Sequence, residues 1–180
     1  HVVALRTDGR VVAWGSNSLG QSTVPADLDS VVAVAAGTEF SLALKADGTV
    51  AAWGYSQVRT LPAGLADVAE VAAAGVLNGG QFAVARKRDG TVVAWGVNNT
   101  GQTNVPAGLT RVVDIAAGAF HALAVTDEGR VVAWGQATGG RTVVPPALPY
   151  GTAVAASASS SFALLGSPVT LLRAPRSHTL

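Results

Sequence analysis

Residues 92–106 read VVAWGVNNTGQTNVP, and residues 11–25 read VVAWGSNSLGQSTVP. Trp, Gly, Asn, Gly, Gln, Val and Pro fall at matching places in the two stretches, and degraded copies occupy 51–62 and 131–145. The four Trp-Gly pairs begin at Trp14, Trp53, Trp95 and Trp134, giving spacings of 39, 42 and 39 residues. That interval is the size of one supersecondary unit, too small to bury its own apolar face, so units of this kind stack on one another.

Around each Trp-Gly pair two further segments recur. One is VVAVAAG at 31–37, EVAAAG at 70–75, VVDIAAG at 112–118 and TAVAAS at 152–157. The other is a Val-rich hairpin whose tip is Asp8-Gly9, Asp47-Gly48, Asp89-Gly90 or Glu128-Gly129. Apolar runs of about five or six residues separated by Asp-Gly turns fit short strands, since helices need ten or more residues. VVAVAAG does not alternate apolar with polar residues, so both of its faces are expected to lie under neighbouring sheets. A unit of ~40 residues with roughly four short strands, repeated, describes a blade of a β-propeller. The fold class is therefore all-β, with about four repeats over residues 1–165 and a divergent tail over 166–180.

Composition narrows the function. The chain has 180 residues, 49% of them hydrophobic and 13% charged, with 12 Lys and Arg against 11 Asp and Glu. A net charge of +1 sets up no broad field for nucleic acid or an anionic membrane. No apolar run is long enough for a membrane-spanning helix, and no signal-peptide pattern opens the chain. Cys is absent, so neither a disulfide framework nor a thiolate metal site can form, and the compartment is left open.

The unit AAGAFHALAVTDEGRVVAWG (116–135), with NNTGQTNVP (98–106) in the neighbouring unit, resembles the repeat of the regulator of chromosome condensation family, as found in its bacterial members. The resemblance runs to about Phe162. It implies a β-propeller, usually of seven blades, and a range of activities: exchange on a small GTPase, inhibition of a secreted β-lactamase, and protein binding. A secreted or cell-surface bacterial location is compatible with it. Four Trp-Gly units are too few for seven blades, and His1 stands where Phe40 and His121 stand in later units. Two readings follow: an open arc of a larger propeller, which is favoured, or a four-bladed ring closed by TAVAAS pairing with the first unit. An open arc carries raw blade faces at its ends, through which it is expected to self-associate.

Candidate chemistry is sparse. The Trp residues recur in every unit, which points to packing rather than a stacking platform. His1 and His121 share a position filled by Phe40 and Ser160 elsewhere, so a metal set or catalytic base is not indicated. Asp before Gly at a hairpin tip answers to turn geometry. LNGGQ (77–81) lacks the Lys and Ser or Thr of a phosphate loop. Arg86-Lys87-Arg88 is a short solvated run. The expectation is a non-catalytic interaction module without cofactor or metal, binding a protein partner. Enzyme regulation and glycan or cell-wall binding through turn polar groups and Tyr55 stand as alternatives. In an up-and-down blade, the loops after AAG and after Trp-Gly emerge on one face, and the hairpin tips and Val-Pro connections on the other. The first face varies more between copies and carries the one insertion, VLNGGQ (76–81). Its candidate contact residues are Glu39, Tyr55, Gln57, Arg59, Asn78, Gln81, Asn98, Asn99, Phe120 and Arg141. For Asn17, Asn98, Gln21 and Gln102 in these turns, satisfying the turn backbone is at least as good a reading.

Overall fold

The computed structural model describes residues 1–77 and 79–166. Thirteen short strands form five antiparallel sheets, packed one behind the next. The first sheet is β1 (Val2–Leu5) with β2 (Val11–Trp14). The second is β3 (Val31–Ala36), β4 (Phe40–Lys45) and β5 (Val50–Gly54), in that order. The third is β6 (Val68–Ala74), β7 (Phe82–Lys87) and β8 (Val92–Gly96). The fourth is β9 (Val112–Ala117), β10 (His121–Thr126) and β11 (Val131–Gly135). The fifth is β12 (Gly151–Ala156) with β13 (Ser161–Leu165).

Three strands, rather than the four expected, make each interior blade. The polar segment after Trp-Gly runs as consecutive turns, because its Gly and Asn residues close turns in place of a ladder. In the second unit it shortens to a single helical turn, α1 (Ser56–Arg59). The Ala-rich strand lies innermost, and the AAG ends of four blades converge, Gly37, Gly75, Gly118 and Ser157 lining one shallow mouth. Small side chains are needed where strands crowd toward an axis. Each inner strand carries a one-residue irregularity at its outer end, and two of the residues set aside there, Val32 and Val113, are exposed.

The sheets form an open arc. Among the described residues β1 pairs only with β2 and β12 only with β13, so the closing pair required by a four-bladed ring does not form. The core lies between blades, not within them: Leu42, Val50 and Phe40 of the second sheet cluster with Ala83, Ala85 and Trp95 of the third. The third and fourth sheets share an equivalent cluster around Val84, Leu109 and Trp134. A short sheet cannot bury both faces by itself, and stacking supplies the second cover. On the first and last sheets of the described residues, Trp14 is 54% exposed and Leu164 66%.

Hairpin tips behave as the sequence implies. Asp47 and Asp89 each accept a hydrogen bond from the backbone N–H two residues on, at 2.9 Å, and Asp8 does so at 3.1 Å. The Thr49 and Thr91 hydroxyls and N–H groups hold the Asp47 and Asp89 carboxyls below their ordinary range. On the same edge the tip of one blade binds the entrance of the next, as in Val68 N–H to the Gly48 carbonyl and Val112 N–H to the Gly90 carbonyl.

Candidate functional site

On the opposite edge the loop after Trp-Gly is tied to the loop after AAG. The backbone N–H groups of Tyr55, Val97 and Gln136 donate to the carbonyls of Glu39, Gln81 and Phe120 at 2.8–2.9 Å. This places both loop sets on one face, as strand alternation requires. Gly96 marks how close they come: at φ 108°, a Cβ there would stand 2.7 Å from the Gln81 carbonyl and 3.1 Å from Val58 Cγ2. Only glycine fits such an approach at positive φ.

Most of the candidate residues are drawn into one strip. Gln81 is buried; its Oε1 accepts the Glu39 N–H at 3.0 Å and its Nε2 donates to the Glu39 carboxylate, locking the second blade to the third. Tyr55 is half-buried against the second and third blades and starts α1, while Gln57 and Arg59 on that turn are exposed. The Phe120 ring lies over Gly80, at the end of the insertion, and the Thr100 hydroxyl reaches the Phe120 carbonyl at 3.5 Å. Asn98 is exposed but engaged: its Oδ1 accepts the Thr103 N–H at 3.1 Å and its Nδ2 donates to Asn104. Asn99, beside it, is exposed. Arg141 lies apart, at the joint between the fourth and fifth blades, with Nη1 donating to Gln136 at 2.9 Å. Asn78 lies outside the described residues, as does the tail from 167 onward.

Gln21 and Gln102 are buried, each folding back onto the N–H two residues before it, at 2.8 and 2.9 Å. Their role is to hold the turn. Gln21 Nε2 also finds Ser16, whereas Val97 occupies the matching place beside Gln102, whose Nε2 has no partner.

Two arrangements were not anticipated from the sequence. The first is a latch of carboxylates along the inner strands. Asp114 Oδ2 accepts the Val154 N–H of the next blade at 2.7 Å, and Glu70 Oε1 accepts the Ile115 N–H at 3.4 Å while Oε2 pairs with Arg86 at 2.8 Å. Burial, with the neighbouring Asp114 carboxyl, pushes the Glu70 pKa up against the pull of Arg86. The signal was an Asp inside the apolar run VVDIAAG. The second is an alternation of joints. His1 Nε2 meets Ser41 Oγ of the next blade at 2.9 Å, and His121 Nε2 meets Ser161 Oγ at 3.0 Å. At the two joints between them, Phe40 and Phe82 face a unit with Ala83 or Ala122 at the serine position. Imidazole goes with serine and phenyl with alanine, since a buried polar ring needs a partner and a phenyl ring does not. His121 is fully buried; that burial, and the Arg141 cation nearby, lower its pKa, with the Ser160 backbone opposing. Among the described residues, no group of His, Asp and Glu is arranged to hold a metal ion.

Small three-stranded sheets stacked on their faces about a mouth lined by inner strands define a β-propeller repeat protein. Its repeats are similar to those of the regulator of chromosome condensation (RCC1) family, whose repeat model matches residues 1–21, 31–58 and 112–140. No curated protein sequence matches the chain significantly. Among solved structures it is similar to Prp20p from Saccharomyces cerevisiae, described with its binding to Gsp1p and histones, at TM-score 0.72 and 16% identity over 89% of this chain and 52% of that one. It is also similar to the ectodomain of the Physcomitrella patens receptor kinase CR4, at 0.73 and 21% over 91% and 46%. Human WBSCR16 gives 0.68 and 22% over 92% and 55%. The chain thus spans about half the length of each. No helix among the described residues is long and apolar enough to cross a membrane.

Proposed function

We propose that the chain is a non-catalytic protein-binding module, and that its partner binds the loop face where α1, the insertion and the Asn98–Asn99 turn meet. The observation that carries this reading is the division of labour on that face. Glu39 and Gln81 hold two loops to one another and Asn98 closes its own turn, while Gln57, Arg59, Asn99 and Leu77, itself 64% exposed, project from the rigid frame so made. Side chains on loops anchored to a stiff scaffold bind with little ordering cost. All but Asn99 also lie where the copies differ: α1 replaces the turn found in the first and third units, and Leu77 sits in the insertion. Prp20p, of similar fold, binds proteins, which supports the class of partner without identifying it.

The test compares captured proteins from the source organism on wild-type bait, on Gln57→Ala with Arg59→Glu, and on Arg88→Glu, which alters the opposite face. A partner held by wild type and Arg88→Glu and lost from the α1 variant is expected. Equal capture by all three baits would remove this face from consideration.

A further inference from the structure

The inner strands β6 and β9 each pair on one side only, with β7 and β10, so amides on the other edge need acceptors that no ladder supplies. At the position just past the irregularity of each inner strand, four successive blades carry Ala33, Glu70, Asp114 and Ala153. Both carboxylates reach forward to the matching amide of the next blade. Asp114 Oδ2 takes the Val154 N–H at 2.7 Å, the length of a charge-assisted bond, whereas Glu70 Oε1 stands 3.4 Å from the Ile115 nitrogen. The Glu70 carboxyl also lies within hydrogen-bonding reach of the Asp114 carboxyl, and the Arg86 guanidinium, at 2.8 Å from Glu70, is the cation between the third and fourth blades.

The other elements packed on β6 and β9 bring no further charge to this pair. β3 and β12 contain no ionisable residue. Lys45, at the end of β4, is held by Asp29 at 2.8 Å, and Lys87, at the end of β7, stands opposite Val68. Arg111, just before β9, is taken by Asp127 and Glu128. His121 lies at the opposite end of β10 from Val125, the residue facing Asp114. With both carboxyls ionised, the joint therefore holds two anions against one cation, and acceptor faces acceptor. One proton taken up from solvent removes the excess charge and makes one oxygen a donor to the other, in an O–H···O⁻ bond that spans the joint.

We propose that Glu70 and Asp114 share one proton across the joint between the third and fourth blades, and that the pair is an acid-closed latch: proton uptake ties the two blades together and proton loss loosens them. A carboxyl whose folded-state pKa is raised above its ordinary 4.5 contributes stability that is complete below 4.5 and is lost as pH rises through the raised value. His121, at the next joint, acts in the opposite sense. The joint between the second and third blades has Ala33 at the carboxylate position and is the internal control. The latch lies on the inner strands and stands independently of the loop-face reading.

Carboxyl NMR titration of the full chain tests the assignment. Glu70 and Asp114 are expected to titrate together, each curve in two steps, with the upper step above 4.5. Asp114→Asn is expected to return Glu70 to a single step at lower pH. Independent single-step curves in the wild type overturn the proposal, and that result requires no variant to fold. Glu70→Gln supplies a permanent amide donor, so the urea midpoint of the wild type is expected to fall relative to this variant as the solution is taken from acid to neutral. The His121 contribution is common to both proteins and cancels in the difference. Amide protection of β6 and β9 is expected to drop several-fold in the wild type over the same range, while that of β3 holds. Midpoints that run parallel in the two proteins, or an equal drop in β3 and β9, overturn the proposal as well.

Discussion

Trp134→Phe tests whether the joints between blades, rather than the blades themselves, hold the arc together. The indole is almost wholly buried between the third and fourth sheets, and its N–H is bonded to the Gln102 carbonyl at 3.0 Å. Phenylalanine leaves that carbonyl buried without its donor, at a cost of about 1–3 kcal/mol. The ring is smaller by roughly 40 Å³, and at ~24 cal/mol per Å³ the void adds about 1 kcal/mol. The sum is about 2–4 kcal/mol, which for a chain of this length lowers the melting temperature by roughly 5–15 °C. Trp14→Phe is the internal control: the same substitution at the same repeat position, but on a side chain 54% exposed, so the change is expected within about 0.5 kcal/mol. Thermal and urea melts followed by circular dichroism measure both. Because stacked repeats can open one at a time, amide exchange of β10 and β11 is the local readout. Equal destabilisation by the two substitutions would refute the reasoning, since it would mean that the joint contributes no more than an exposed ring.

Two further expectations concern particular residues. The folded-state pKa of His121 lies below its ordinary value of 6.5, so the unfolded chain takes up the proton first. Stability is therefore complete above 6.5 and falls as pH drops from 6.5 toward the lowered value. Urea midpoints measured between pH 7.5 and 5 are expected to show this loss in wild type, and to show less of it in His121→Phe with Ser161→Ala, which installs the phenyl and alanine pair used at the neighbouring joints; an unchanged slope would contradict it. Gly96→Ala, at φ 108° and against the Gln81 carbonyl, is expected to cost more than Gly64→Ala, at φ 73° with nothing within 4 Å of the added carbon. Both pay for positive φ at about 1 kcal/mol, and only the first also forces two loops apart, so equal melting temperatures would argue against the close packing of the loop face.

The candidate site was legible only in part. Face membership followed from alternation of strand direction, and the loop pairs Tyr55 with Glu39 and Val97 with Gln81 bear it out. The loop face draws Glu39 and Gln81 into bonds between blades, whereas Gln57 and Arg59 remain outside; nothing in the residue types distinguishes these fates. Gln81 looks like any polar loop residue in VLNGGQ, and its burial depends on a neighbour 42 positions away. The helical turn α1 was likewise invisible in YSQVRTLP, because four residues give too little pattern to identify a helix.

By itself, the sequence determined the period, the hairpin turns and the stacking, but not the number of strands in a blade. Those are set by local rules: Gly where φ is positive, Asp where a turn N–H needs an acceptor, and apolar runs too short to be buried unaided. It also showed that the units are equivalent. The tertiary structure alone decided how each unit meets the next. Whether a Trp is sealed or bare, whether a histidine finds a serine, and whether an edge strand is paired or open all depend on residues some forty positions apart. Such contacts are made between repeats and not within one, so a single unit's sequence does not show whether its partner is in place.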